Sequence, residues 1–112
     1  MEGIYEQRHG AVTVLKPEGP LLQEQAAAMG ENTVKRIRGM LGRLVIDLSA
    51  SPYIDSTGLE ALLDLADEMD QCGQTLRLAG VSATIREVLD LTGLTNRFEY
   101  HDDTNLAVRS FL

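Results

Sequence analysis

The stretch Leu44-Val45-Ile46-Asp47-Leu48 is a nearly continuous apolar run, and such a run marks a central strand covered on both faces. Shortly after it, apolar residues recur at Leu59, Leu62, Leu63, Ala66 and Met69, the period of a helix with one buried face. A doubly buried strand feeding an amphipathic helix needs a layered α/β arrangement, and the pattern recurs along the chain.

Val12 and Val14 alternate around Thr13, so residues 11–16 read as a strand. Residues 3–8 form its partner, with His9-Gly10 as the hairpin turn. Pro17-Glu18-Gly19-Pro20 breaks the chain. From Leu21 to about Leu41 the pattern is helical, with Leu22, Ala26, Met29, Val34, Ile37 and Leu41 as core candidates. Gly30 and Asn32-Thr33 weaken this helix near its middle, which allows two pieces. Residues 49–55 form a loop containing Pro52. The next helix runs from Thr57 to about Asp70 and is closed by Gly73. Residues 75–79 form a second buried strand. Ser82 caps a third helix through Leu91, ended by Gly93. Residues 98–100 form a short strand, and residues 104–112 a final helix with Leu106, Val108, Phe111 and Leu112 apolar. The order is β-β-α-β-α-β-α-β-α. This predicts an α/β domain over residues 1–112, with a mixed, mostly parallel sheet of about five strands, an opening hairpin, about four helices and right-handed crossovers.

Composition narrows the function classes. At 112 residues, 44% hydrophobic and 24% charged, the chain is ordinary globular material. Its formal charge of −7 opposes nonspecific binding to nucleic acid or an anionic membrane, and Lys35-Arg36-Ile37-Arg38 reads as a solvated helix face. The single cysteine, Cys72, cannot form an internal disulfide, which points to a reducing compartment. Residues 1–6 lack the positive region and apolar core of a signal peptide, and no apolar run approaches the roughly 20 residues that span a bilayer. The expectation is a soluble, cytoplasmic protein without membrane insertion.

Enzyme signatures are weak. His9 and His101 read as exposed loop residues and form no metal motif, so neither a metal nor a cofactor is expected. Asp55-Ser56 lacks the G-x-S-x-G context of a nucleophile elbow, and no glycine-rich phosphate loop is present. No catalytic residue is assigned. The informative segment is Asp55-Ser56-Thr57-Gly58-Leu59. Thr57 and Glu60 have capping-box spacing, which puts Ser56 just outside the first turn, at the positive end of a helix dipole. Amides there favour an anion, including a phosphate added to a hydroxyl. On the local pattern alone, capping accounts for both hydroxyls.

The whole-chain order widens the reading. Together with D-S-T-G-L at residues 55–59, Gly73 before Thr75-Leu76-Arg77-Leu78, and Leu91-Thr92-Gly93-Leu94, the sequence resembles the sulphate-transporter and anti-sigma-factor-antagonist (STAS) domain, and within it the stand-alone bacterial antagonists. The resemblance implies a non-enzymatic phospho-switch. Ser56, or with less weight Thr57, would be phosphorylated by a serine/threonine kinase that is itself the anti-sigma factor, with a phosphatase as a possible opponent. The unphosphorylated protein would bind that kinase and so regulate transcription. Asp55, Ser56, Thr57, Gly58, Leu59, Gly19 and Leu21 would form the partner-binding surface. Many members carry G-[ED]-[LI]-D after the second strand, whereas this chain reads Gly19-Pro20-Leu21-Leu22, with Leu22 in the place of the Asp. The alternative is a STAS scaffold or subunit in a lipid-transport or signalling complex, with Ser56 and Thr57 acting only as caps and contacts. A small-ligand sensor is a third reading.

Overall fold

In the computed structural model, which describes residues 3–112, the elements are β1 (Ile4–His9), β2 (Val12–Pro17), α1 (Gln23–Val34), β3 (Leu44–Asp47), α2 (Ser56–Gln71), β4 (Leu76–Ala79), α3 (Ala83–Leu91), β5 (Phe98–His101) and α4 (Thr104–Arg109). Met1 and Glu2, part of the segment read above for leader character, lie outside the described residues. The sheet order is β1-β2-β3-β4-β5, with β1 antiparallel to β2 and every other pair parallel. This is the mixed, mostly parallel α/β sheet expected from the alternation of elements. The hairpin pairs His9 with Val12, so its turn is Gly10-Ala11, one residue later than expected.

Strands that add in sequential order through right-handed crossovers bring their connecting helices to one face. Side-chain alternation then divides the core. Leu15, Leu44, Ile46, Leu76, Leu78 and Phe98 face α1, α2 and α3, where Met29, Leu62, Leu65, Met69, Ile85 and Leu89 meet them fully buried. Each such large side chain contributes about 1.5–3 kcal/mol by leaving water. Val12, Val14, Val45 and Ala79 face the other way, toward Ala107, Val108 and Phe111 of α4 and the segment after it. Arg77 also points to this second face. Its guanidinium stacks on Phe111 at 3.7 Å and donates to the Ser110 hydroxyl at 2.5 Å, so its charge is satisfied where α4 packs.

The long helical pattern after Leu21 divides differently from the expectation. Gly30 and Asn32 stay inside one helix, α1, and the break comes after Val34, followed by a short 3-10 turn at Arg38–Met40. Gly30 is retained because α1 and α2 cross there closely: a Cβ on Gly30 would lie 3.1 Å from that of Ala61. Leu41, expected in the core, ends the 3-10 turn with φ 55° and is 66% exposed. Leu106 and Leu112 are also exposed, because α4 is only six residues long and buries Ala107 instead. The helix ends at Gly73 and Gly93 are as expected. Each glycine has positive φ, and the following residue donates back to the helix, Gln74 to Met69 at 2.9 Å and Leu94 to Leu89 at 2.8 Å.

Candidate functional site

Three loops meet where the parallel strands end. Gly19 donates its N–H to the Ala50 carbonyl at 3.0 Å, and Leu21 donates to that of Tyr53 at 3.2 Å. Asp55 N–H returns a bond to the Leu21 carbonyl at 3.4 Å, which completes a parallel bridge between Leu21 and Ile54. The Ser82 hydroxyl, just before α3, donates to the Pro52 carbonyl at 3.1 Å and also accepts the Ile85 N–H. Residues 48–55 are therefore held from both sides, which gives Ser56 a defined place on a stiff support.

The N-cap of α2 lies two residues earlier than its capping pattern suggested. Asp55 is the N-cap, and its Oδ1 accepts the Gly58 N–H at 2.8 Å. Thr57 is the second helical residue, and Glu60 is exposed. The Thr57–Glu60 capping box is thus replaced by a single charged acceptor, which binds backbone amides more strongly than a neutral hydroxyl can. Asp55 Oδ2 accepts a second bond, from Gln23 N–H at 3.0 Å. The Gly58 N–H is the largest influence on this carboxyl, and with the Gln23 and Thr57 amides it holds the group below the usual carboxylate range.

The expected partner-binding residues divide by exposure. Ser56 is exposed as the first residue of α2, and the cap bond made by Asp55 leaves its hydroxyl uncommitted. Asp55, Thr57, Leu59 and Gly19 are half-buried, and Leu59 packs against the core. Leu21 is fully buried and Gly58 is buried, so neither offers side-chain surface; they hold the loops together from beneath. Leu22 is the N-cap residue of α1 and makes no side-chain cap bond. Beginning at Thr57, a groove of about 510 Å³ runs between α1 and α2, with Glu31, Glu60, Asp64, Asp67 and Glu68 among its lining residues, so the groove leading away from the start of α2 is acidic.

The description of the STAS domain matches residues 4–107, nearly the whole chain. The chain belongs to the STAS domain family. Its structure superposes on the TM1081 protein of Thermotoga maritima with TM-score 0.86 at 20% identity, covering 97% of this chain and 94% of the other. An anti-sigma factor antagonist from Mycobacterium paratuberculosis aligns with TM-score 0.77 at 22% identity, over 96% and 91% of the two chains. The unphosphorylated anti-sigma factor antagonist SpoIIAA gives TM-score 0.76 at 15% identity over 96% of both chains. A structure of the Bacillus SpoIIAA in its phosphorylated form is also similar, with TM-score 0.73 at 16% identity over 96% and 98%. At these identities the likeness is one of fold. A search of curated protein sequences finds no significant match.

In this STAS domain, D-S-T-G-L occupies the β3–α2 junction, with its hydroxyls at the helix start. Two residues of the site were missed in the sequence. Tyr53, 49% exposed on the braced loop, presents an aromatic ring close to Ser56 in sequence, and an aromatic residue between Pro52 and Ile54 was the available signal. Gln23 has φ 46°, a left-handed conformation costing roughly 1–2 kcal/mol outside glycine. No local pattern announces it, since its partner is Asp55. His9 and His101 end strands rather than standing in loops, and they contact Gln7 at 3.3 Å and Glu99 at 2.8 Å. Among the described residues no group of three or more His, Cys, Asp or Glu side chains is placed to hold a metal ion, and no helix is long and apolar enough to cross a membrane.

Proposed function

We propose that the chain acts as one STAS domain and as an anti-sigma factor antagonist, a cytoplasmic regulator of transcription switched by phosphorylation of Ser56. The observation that carries this reading is the exposed Ser56 at the first position of a 16-residue helix, with Asp55 relieving it of the capping role. A serine/threonine kinase anti-sigma factor would dock on the surface around Ser56, Thr57 and Tyr53. It would move the γ-phosphoryl group of ATP to Ser56 Oγ, with ADP leaving and the hydroxyl proton passing to a base of the kinase. The phosphate, carrying about −1.5 to −2 charge, would sit by the helix N-terminus without melting it. It would also stand beside Asp55 at the end of an acidic groove, which disfavours a partner surface fitted to the neutral hydroxyl.

Phosphorylation of the wild-type chain and of Ser56→Ala by the cognate kinase, read by intact mass, tests the site. One phosphate on the wild type and none on Ser56→Ala is expected, and Ser56→Asp should weaken the complex at least tenfold in titration calorimetry. Equal phosphate incorporation by Ser56→Ala overturns the site assignment. Unchanged affinity of Ser56→Asp favours the non-switching scaffold.

A further inference from the structure

One carboxylate caps two helices. Asp55 Oδ1 takes the Gly58 N–H in the first turn of α2 at 2.8 Å, and Oδ2 takes the Gln23 N–H that opens α1 at 3.0 Å. The residue before Gln23 is Leu22, which stands at the N-cap with no side-chain oxygen to offer. Gln23 itself is held at φ 46°, a conformation that persists only where its surroundings impose it. The start of α1 therefore depends on an acceptor borrowed from the loop that carries Ser56.

Resting on the phosphorylation reading above, we propose that Asp55 is the positioning residue through which modification of Ser56 reaches the first turn of α1 and the 19–22 loop. A phosphate on Ser56 lies next to the Asp55 carboxylate and competes with it for the Thr57 and Gly58 amides. Two anions cannot share those amides on equal terms, so the carboxylate turns away. Gln23 then loses its acceptor, its backbone relaxes from the left-handed conformation, and the opening turn of α1 frays, because water replaces the fixed carboxylate that held its first amide. The phosphate thus alters a second part of the partner surface as well as its own position. A chain with Asp in place of Leu22 would offer its own side chain to the second or third amide of α1, beyond Gln23, and would hold the rest of the turn when the Gln23 bond is lost. The departure at Leu22 is what leaves the first turn of α1 without a cap of its own.

Phosphoserine incorporated at position 56 by genetic encoding tests this without any kinase, with backbone amide hydrogen exchange read by NMR. Exchange at Gln23 should rise about tenfold, the loss of one hydrogen bond, with Ala26 following and Leu65 unchanged. Asp55→Asn should shift Gln23 in the same direction without phosphate, since an amide has one acceptor oxygen for two N–H groups. In a Leu22→Asp background, phosphoserine should still speed exchange at Gln23 but leave Ala26 protected. Unchanged protection of Gln23 in the phosphoserine chain overturns the proposal, as does an equal rise at Ala26 in the Leu22→Asp background. If Asp55→Asn fails to fold by circular dichroism, the phosphoserine and Leu22→Asp comparison still decides. Failure of a kinase to modify Ser56 would remove the functional reading above and leave this exchange result standing.

Discussion

Replacing Gly58 by alanine puts a methyl group where the β2–α1 loop crosses α2. The added Cβ would fall inside the contact distance of the Leu21 carbonyl oxygen, 3.4 Å from the Leu21 carbonyl carbon and 3.1 Å from the Ile54 Cβ. Leu21 cannot give way easily, because its side chain is fully buried and its carbonyl accepts the Asp55 N–H at 3.4 Å. Overpacking of this kind costs about 1–3 kcal/mol, and disturbing the Leu21–Asp55 bond adds about 1 kcal/mol. The higher helix propensity of alanine returns about 1 kcal/mol. The net loss is then about 1–3 kcal/mol. With a urea m-value near 1.5 kcal/mol/M, ordinary for a chain of this size, the midpoint should fall by roughly 0.7–2 M with an unchanged slope. Urea titrations followed by circular dichroism measure this directly. A Gly58→Ala chain as stable as the wild type, or more stable, would refute the reasoning: helix propensity would then outweigh the close approach. Gly58 would have to be explained by a partner's contact instead of by the chain's own packing.

Other perturbations follow from the same contacts. Asp47 is 9% exposed, and it accepts the Ser49 N–H and the Thr104 hydroxyl, both at 2.9 Å, tying the end of β3 to the start of α4. Asp47→Ala leaves both donors without this acceptor and should cost about 1–3 kcal/mol in urea unfolding, with faster amide exchange at Ala107; a loss below about 0.5 kcal/mol would contradict the tether. Acidification tests two carboxylates whose folded values are lowered, Asp55 by the Gly58 amide and Glu6 by its hydrogen bonds with Arg36 at 2.8 Å. Lowered folded values mean that both contributions are fully present above the unfolded value of about 4 and are lost as pH falls through it and on through the folded values. The thermal midpoint should therefore drop as pH falls below about 5, and Asp55→Asn should flatten part of that drop; an identical pH profile in the variant would remove Asp55 from the account.

The sequence by itself determined the elements and their order. The 44–48 run read as a covered strand, the 59–69 periodicity as a helix with one buried face, and the D-S-T-G-L junction between them as a helix start with a hydroxyl to spare. These features depend on hydrophobic period and local backbone chemistry, which neighbouring residues fix among themselves. Tertiary structure decided what each residue at the site does. Thr57 looked like the cap, but Asp55 lies two residues earlier and carries charge. Gly58 and Leu21 looked like partner contacts, but the Leu21–Ile54 bridge buries them. Leu22 looked like a defect, but the Gln23 amide finds Asp55 across 32 residues of chain. A hydrogen bond of that span has no sequence period. It exists only after β2 and β3 have paired and brought their loops together, which is why the shared carboxylate could be seen only in the folded chain.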